Sequence, residues 1–489
     1  MRKHSKSQIN IITTILNQLV ATACGIVVPR ILIGGFGSAA YGITVSITQF
    51  LSYITLLEGG IGGVARAELY GPLASGDAMA VSAVYQAEKS FFRNVALVFF
   101  AYSIVLGLVF YDLAKVTSFS KVYIFALVMV LSLSTLAKYV GGLPNLTLIV
   151  ADQKLYINNA VMMGTTIANT ILVFVLVGWS GDLLWVKLGS SMVFLLRPII
   201  YSVYVRQHYT LYKTKRAELE QKWTGVGQHI AYFLHTNTDV VLLTLFADIR
   251  LVAVYAVYSL VISSIRALTQ SFSGSMEARF GELIAKGASV SLQHVFKQYQ
   301  ILLSSVTVTL FGCTGILVLS FVRLYTRGIT DAEYIQPAFA MVLLLAEAIN
   351  CLTLPSTSLP VAANHFRQTR GGAYFEAILN ILFSLALIQW KPLLGVAIGT
   401  LVATMFRGIY YMFYSAKQIV FVPFRSQIIA FGIALIMLGL IIVVGNYLVQ
   451  FVVINNYLQW ILCALVTFVV LSVPCVVVVK NAFRSVRFE

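Results

Sequence analysis

Apolar windows of about 20 residues recur along almost the whole chain, and they constrain its fold more than any other feature. A helix of about 20 apolar residues crosses the hydrocarbon core of a bilayer. Fourteen windows lie near 9–33, 41–62, 91–111, 122–150, 156–178, 183–205, 228–247, 251–275, 298–321, 335–362, 371–390, 393–415, 427–446 and 456–479. Only 11% of the residues are charged, which excludes a soluble globular protein. The sequence predicts an all-α polytopic membrane protein with 14 transmembrane helices.

Positively charged residues fall mainly into the loops on one side of these helices, together with both ends of the chain. Many lie in the longest loop and the C-terminal tail: Arg206, Lys213, Lys215, Arg216, Lys222, Lys480, Arg484 and Arg487. Cytoplasmic loops are enriched in lysine and arginine, so both termini are predicted to be cytoplasmic. This topology accounts for the net charge of +16, which in a soluble protein would suggest nucleic-acid binding. No nucleic-acid partner is expected.

The chain contains an internal repeat. The segment 187–204 reads KLGSSMVFLLRPIIYSVY, and the segment 397–414 reads AIGTLVATMFRGIYYMFY. At an offset of 210, Gly189, Arg197, Tyr201 and Tyr204 match Gly399, Arg407, Tyr411 and Tyr414. At an offset of 211, Leu143, Pro144 and Asn169 match Leu354, Pro355 and Asn380. Because six predicted helices separate equivalent positions, the copies share one orientation and form a parallel repeat.

The repeat predicts two pseudo-symmetric lobes of six helices, followed by two extra helices without a counterpart. The first lobe is assigned to 1–205 and the second to 228–415. A cytoplasmic loop at 206–227 joins them, and 416–489 holds the two extra helices and the tail. Such a duplicated bundle is typical of a transporter.

Four cations lie inside the predicted helices: Lys138, Arg197, Arg266 and Arg407. A charge in hydrocarbon is costly unless it faces water or a partner. Arg197 and Arg407 each lie nine or ten residues from the next cytoplasmic loop, which is about 14 Å at helical rise and too far for one side chain to reach. We interpret the four as lining a wet cavity that binds a phosphate or pyrophosphate, which guanidinium groups hold bidentately.

Three acidic residues also lie at membrane depth: Glu58, Asp239 and Glu347. A buried carboxylate must be paired, protonated or bound to an ion. Each is therefore either a salt-bridge partner of the arginines or a coupling site for H⁺ or Na⁺. No other cofactor is expected.

Pro144 and Pro355 lie at equivalent places in the two longest predicted helices. A proline inside a helix removes a backbone hydrogen bond and bends the helix. The two prolines mark either static kinks or paired bending points that open and close a transport pathway.

Enzyme and metal chemistry have no positive signal. The five cysteines and six histidines show no metal-ligand spacing, and the sequence contains no Walker A motif and no arrangement of catalytic side chains. The predicted outer loops are short. The chain is not expected to be an enzyme or to bind a metal cofactor.

Two groups of residues resemble a known family. The first is Pro29, Arg30, Ile31, Leu32, Gly37, Tyr41 and Gly42, followed by LLEGGIGG and Arg66. The second is Asn237, Asp239, Leu242, Leu243, Val254, Tyr255, Tyr258 and Ser259. Their order and spacing resemble those of the Wzx-type polysaccharide flippases, which belong to one superfamily with the multidrug and toxin extrusion exporters and the lipid II flippases. The resemblance covers essentially the whole chain.

The resemblance implies two six-helix lobes in a V and alternating-access transport of an undecaprenyl-pyrophosphate-linked oligosaccharide to the outer leaflet of the bacterial cytoplasmic membrane. The transported glycan would feed O-antigen, capsule or exopolysaccharide assembly, with a polymerase and chain-length proteins as partners. The family's arginines carry over to Arg30 and Arg66, which are expected to matter for transport. By the same analogy, the two extra helices form a groove for the lipid tail.

Two alternatives stay open at this stage. A cation-coupled multidrug exporter of the same superfamily predicts a cavity dominated by acids and aromatic residues. A membrane glycosyltransferase or polymerase predicts a sizeable outer loop carrying acidic residues, and the longest one here, around Arg323 to Glu333, is short.

Overall fold

The structure is a computed structural model that describes residues 2–58, 60–214, 217, 226–271 and 273–485. These residues form helices and connecting segments, without a β-strand. The chain divides into two compact units, Met1–Ile230 and Ala231–Glu489. The predicted cytoplasmic cations Lys215, Arg216, Lys222 and Arg487 lie outside the described residues.

The first unit is built from seven helices and the start of an eighth. They are α1 (Arg2–Ser52), α2 (Ile61–Ser75), α3 (Ala78–Leu113), α4 (Lys121–Ala137), α5 (Leu143–Ala151), α6 (Leu155–Ser180), α7 (Leu183–His208) and α8 (Val226–Phe246). A 3₁₀ turn at Tyr53–Glu58 follows α1, and a π-helical turn at Lys138–Gly142 joins α4 to α5.

The second unit contains the remaining helices. They are α9 (Ile249–Gln270), α10 (Ser273–Ala285), α11 (Ser289–Tyr325), α12 (Pro337–Leu352), α13 (Leu354–Ala362), α14 (Phe366–Ile388), α15 (Pro392–Ser415), α16 (Phe424–Val449) and α17 (Tyr457–Ser485). A π-helical turn at Ala416–Val420 follows α15.

Each predicted apolar window overlaps helical structure, and the all-helical prediction is confirmed. Within the described residues, eleven helices are long and apolar enough to span a membrane, and the bent pair α12 and α13 raises the number to twelve. The number is lower than fourteen partly because α1 covers two predicted windows, which meet at Gly37 (φ 82°, ψ 171°) without a loop. α8 is not among the eleven, because its apolar part, Asn237–Phe246, is shorter than a span. The count of fourteen and the six-helix lobes stay predictions.

Helical structure extends beyond the predicted windows at the ends of α3 and α11. α3 begins at Ala78 rather than near residue 91, and its first turn is capped by Asp77, whose carboxylate accepts hydrogen bonds from the N–H groups of Met79 and Ala80. α11 begins at Ser289 rather than near residue 298, and α2 and α10 occupy segments read as loops. A hydropathy window misses these turns because polar side chains on one face lower the average.

Buried aromatic rings form part of each unit's core near the break in its fourth predicted span. In the first unit, Tyr139 stacks on Phe92 with 6.0 Å between ring centroids. In the second unit, Phe280 packs edge-on against Tyr299 at 5.9 Å. In the first unit the contact joins the third predicted span to the break in the fourth. In the second unit it joins the third predicted span, α11, to α10.

Candidate functional site

The two arginines of the repeat make equivalent contacts, each inside its own unit. In the first unit, the Arg197 guanidinium on α7 donates to the hydroxyls of Thr165 (2.8 Å) and Thr166 (3.1 Å) on α6. In the second unit, Arg407 on α15 lies 3.3 Å from the Glu376 carboxylate on α14. The offset of 211 carries Thr165 onto Glu376. Arg197 therefore braces α6 against α7, Arg407 braces α14 against α15, and a cavity-facing role for both stays a prediction.

The helix pairs α6 with α7 and α14 with α15 are also joined near the residues that precede α6 and α14. Lys154 lies between α5 and α6 with its ammonium group 5.7 Å from the centre of the Tyr204 ring, and it forms an ion pair with Asp152 at 2.7 Å. Burial lowers the pKa of Lys154, but Asp152 and the Tyr209 hydroxyl raise it by more, so the ammonium stays charged. At the equivalent place in the second unit, His365 bonds the Tyr414 hydroxyl at 2.9 Å.

Two further cations pair with carboxylates across the second and fourth predicted spans of each unit. In the first unit, Lys138 lies 3.2 Å from Glu58, which also accepts a hydrogen bond from the Tyr139 hydroxyl. In the second unit, Arg266 lies 2.8 Å from Glu347, with side chains 25% and 15% exposed. The carboxylate belongs to the second predicted span in the first unit and to the fourth predicted span in the second unit. Glu58 and Glu347 are therefore both in ion pairs, and a role for them in ion coupling stays a prediction.

Pro144 and Pro355 both stand in the first turn of a helix that follows a break. The π-helical turn Lys138–Gly142 precedes Pro144, and α12 meets α13, where Pro355 lies, at a bend of 44°. A proline in the first turn of a helix costs no helical hydrogen bond, because the backbone N–H groups there have no carbonyl partner within that helix. The prolines thus fit the breaks, and their role in gating stays a prediction.

Asp239 on α8 is a buried carboxylate held by hydroxyl groups. Its Oδ2 accepts hydrogen bonds from Tyr255 (2.9 Å) and Thr400 (2.9 Å), and Thr400 also accepts one from Asn380 at 3.3 Å. Its Oδ1 is buried without a hydrogen-bond partner in the described chain. A buried carboxylate oxygen without a partner is costly, so this group is suited to take up a proton or a small cation.

A further buried acid, Glu88 on α3, escapes sequence reasoning because it precedes the predicted apolar window. Its Oε1 accepts a hydrogen bond from Thr147 at 2.7 Å, and its Oε2 is buried without a partner in the described chain. The repeat carries Thr147 onto Ser358, and Ser358 likewise donates to a carboxylate, that of Glu277, at 3.2 Å. The recurring hydroxyl was the available signal.

The two arginines assigned by resemblance occupy different surroundings within the first unit. Arg30 is half-buried on α1, and a Cβ added at Gly34 would lie 3.2 Å from its guanidinium. Arg66 is exposed on α2. The described contacts of Arg197 and Lys138 are to other residues. A shared anion site formed by Arg30, Arg66, Lys138, Arg197, Arg266 and Arg407 stays a prediction.

A groove of about 690 Å³ runs along the second unit between α11 and the two extra helices. Apolar side chains line most of its length, and Gln293, His294 and Lys297 form a polar end. The extra helices dock closely, because added Cβ atoms at Gly312 and Gly315 of α11 would lie 2.9 Å and 2.7 Å from Ile441 and Ile442 of α16. The groove has the apolar wall and polar mouth that a lipid chain requires.

The described part of the chain holds no group of three or more His, Cys, Asp or Glu side chains arranged to bind a metal ion.

Comparisons of the sequence find neither a matching family model nor a matching curated protein. Solved structures do match the fold. The lipid II flippase MurJ in an inward closed conformation is 14% identical, with a TM-score of 0.68, over 95% of this chain and 97% of that one. The MATE multidrug transporter DinF-BH, solved as a complex, is 13% identical, with a TM-score of 0.61, over 86% of this chain and 97% of that one.

A multidrug resistance MATE family transporter of the MOP superfamily, in an inward-facing conformation, is 12% identical, with a TM-score of 0.54, over 87% of this chain and 95% of that one. Identities this low establish the fold alone. These proteins are named as transporters and flippases rather than enzymes. The chain is therefore a multi-pass membrane protein with the fold that MurJ shares with the MATE transporters of the MOP superfamily.

Proposed function

We propose that this protein is a flippase that moves an undecaprenyl-pyrophosphate-linked oligosaccharide to the outer leaflet of the bacterial cytoplasmic membrane by alternating access. The observation that carries the proposal is the groove between α11, α16 and α17. A transporter of soluble compounds has no need for a long apolar channel walled by two additional helices, whereas a polyprenyl chain would occupy one. The MurJ fold, which covers 95% of this chain, supports the same class.

In this proposal the diphosphate exchanges with carboxylates that already neutralise the cations. Arg266 and Glu347 are each partly exposed, so an anionic ligand can reach the guanidinium without unfolding a buried pair. A diphosphate offers more acceptor oxygens than one carboxylate and binds guanidinium bidentately. Arg197 contacts hydroxyls instead, and its charge is available without displacing an acid.

Asp239 is the proposed coupling site. Protonation or binding of a sodium ion would satisfy its unpaired Oδ1, and the Tyr255 and Thr400 hydroxyls can turn to accept a proton or to coordinate the ion. Release of the cation would leave a buried charge, which favours rearrangement of the helices around it. A gradient across the membrane could drive transport through this step.

A cation-coupled multidrug exporter is the second candidate, and a specific observation favours it. The structure balances Arg266, Arg407 and Lys138 with carboxylates, which weakens the repulsion of a cationic drug that unpaired arginines would cause. The fold shared with the MATE multidrug transporter DinF-BH fits as well. The two candidates differ in substrate rather than in architecture.

Reconstitution into liposomes separates them. The flippase proposal predicts that a fluorescent lipid-linked oligosaccharide becomes accessible on the far side of the vesicle, and that Arg266→Gln slows this process more than Arg367→Gln, which removes an exposed cation elsewhere. Efflux of a cationic dye at a comparable rate, with no movement of the lipid-linked glycan, would instead establish the exporter. As a flippase, the protein would work beside a polysaccharide polymerase and chain-length proteins, with both termini cytoplasmic.

A further inference from the structure

A second groove lies in the first unit, and part of its wall corresponds through the repeat to the apolar groove of the second unit. It has a volume of about 670 Å³ and lies between α3, the α4–α5 break and the segment that follows α7. Four cations line it: Lys89, Arg93, Arg206 and Lys213. No acidic residue is among the described side chains that form its wall.

The repeat shows that the two grooves share one wall, formed by the start of α3 or α11 and by the segment after the sixth predicted span. Seven lining residues of the groove in the first unit map onto lining residues of the groove in the second unit, at offsets of 211 and then 210: Tyr85, Gln86, Lys89, Ser90 and Arg93 onto Phe296, Lys297, Gln300, Ile301 and Ser304, and Tyr212 and Lys213 onto Val422 and Pro423. In the second copy, uncharged residues stand at the positions of Lys89, Arg93 and Lys213. The charges of Lys89, Arg93 and Lys213 therefore belong to the groove in the first unit and are not a feature of the repeat.

The segment after the sixth predicted span closes one end of both grooves. In the first unit, the Tyr212 N–H donates to the Ser82 hydroxyl at 3.0 Å, and the Gln86 amide donates to the Tyr212 carbonyl. At the position equivalent to Ser82, the Gln293 amide donates to the Val420 carbonyl at 2.9 Å. These bonds hold Lys213 beside the start of α3.

Depth along α3 places the cations at the edge of the hydrocarbon. Lys89 and Arg93 flank the start of the apolar window at residue 91. One and two turns further on, the same face of α3 continues with exposed apolar side chains, Leu97 (67%) and Phe100 (46%). Val105 (57%), on the neighbouring flank of the helix, is exposed as well. A phosphate at the cations and acyl chains along this face match the two ends of a phospholipid.

In the second unit, protein covers the equivalent part of α11. The residues equivalent to Leu97 and Val105 are Val308 and Ile316 of α11, which are 8% and 5% exposed. They are buried where α16 and α17 pack on α11, and Thr309 beside them donates to the Leu471 carbonyl of α17 at 3.4 Å. No described helix takes that position on α3.

We propose that the cationic groove of the first unit binds the phosphate head group of an anionic membrane phospholipid, whose chains lie along the Leu97 face of α3. Charge complementarity selects the anionic head group, because a cation near a membrane surface strengthens binding of anionic lipid by about 1 kcal/mol, or about fivefold. This site is separate from the proposed substrate, and it stands whether the transported molecule is a lipid-linked glycan or a drug.

The test uses the purified full chain in nanodiscs with photoactivatable phosphatidylglycerol and a matched phosphatidylcholine probe. Phosphatidylglycerol is expected to label peptides of α3 in preference to phosphatidylcholine. Lys89→Gln combined with Arg93→Gln is expected to weaken that labelling about 25-fold, at about fivefold for each cation removed. The control, Arg367→Gln with Arg370→Gln, removes two exposed cations from α14 and is expected to leave it unchanged.

Three results would overturn the assignment. Equal labelling of α3 by both lipids would mean ordinary lipid contact only. Labelling that survives both Lys89→Gln with Arg93→Gln and Arg206→Gln with Lys213→Gln would place the head group elsewhere; the second pair also serves if the first does not fold. Displacement by inorganic pyrophosphate or a polyprenyl diphosphate, but not by unlabelled phosphatidylglycerol, would assign the groove to a diphosphate instead.

Discussion

Glu376 occupies in the second unit the position that Thr165 occupies in the first, and each receives the repeated arginine of its own unit. The Arg407 guanidinium lies 3.3 Å from the Glu376 carboxylate, and the Arg197 guanidinium lies 2.8 Å from the Thr165 hydroxyl. The packing of the equivalent helix pairs, α6 with α7 and α14 with α15, is thus preserved while the charge balance is not. A carboxylate neutralises Arg407, whereas the described partners of Arg197 are hydroxyl groups. Arg197 is therefore a stronger candidate than Arg407 for holding an anionic substrate.

The first prediction concerns this contact. Replacement of Glu376 by Ala would leave the half-buried Arg407 without its carboxylate, and we expect a loss of about 3 kcal/mol, at the low end for breaking a buried pair because Arg407 is 21% exposed. Glu376→Thr would rebuild the hydroxyl contact of the first unit and should recover part of that loss. Thermal unfolding in detergent measures the order. Equal melting temperatures for both variants and the parent would show that the contact does not brace the helices.

The second prediction concerns Glu88. Its carboxylate has one buried oxygen without a partner in the described chain, so Glu88→Gln removes a costly buried charge while keeping an acceptor for Thr147. We expect Glu88→Gln to match or exceed the parent in thermal stability. Thr147→Val would leave the carboxylate without its donor and should cost about 1–3 kcal/mol. A Glu88→Gln protein that unfolds as readily as Thr147→Val would show that the ionised form is required.

The sequence could predict the helices but not all of their ends. Uninterrupted apolar windows locate the membrane-embedded parts because hydrocarbon tolerates few charges. The first turns of α3 carry polar residues on one face, α2 carries the charged residues Arg66 and Glu68, and averaging over a window hides both helical segments. Glu88 was lost for this reason, since it lies in the turns of α3 that precede residue 91.

The partners of the in-span cations were harder to predict than the cations themselves. Arginine inside an apolar window is conspicuous, and the repeat marks Arg197 and Arg407 by identity. Thr165 and Glu376 are not identical, so matching the two copies passes over them, although both lie at the offset that fixes Pro144 and Pro355. Pairing depends on which helix faces are neighbours, and that is set by the packing of whole units.

The third prediction concerns Asp239. Asp239→Asn keeps the size of the side chain and can still bond Tyr255 and Thr400, so the protein should fold, but it can no longer gain or lose a proton. We expect transport to lose its dependence on the imposed proton or sodium gradient. Liposome transport with and without each gradient measures this, and Glu58→Gln serves as a matched control, since Glu58 already pairs with Lys138. A gradient dependence that persists in Asp239→Asn and vanishes in Glu58→Gln would move the coupling site.

The fourth prediction tests whether α16 packs directly against α11. A Cβ at Gly445 would overlap Ile316 of α11, whereas at Gly439, six residues earlier on α16, nothing lies within 4 Å. Gly445→Val should therefore push α16 away from α11 at a cost of about 1–3 kcal/mol, while Gly439→Val should be nearly silent. Because α16 forms one wall of the apolar groove, Gly445→Val should also weaken labelling of the groove by a photoactivatable polyprenyl lipid. If both variants kept the parent's stability and labelling, α16 would not form that wall, and the proposed route for the lipid chain would fail with it.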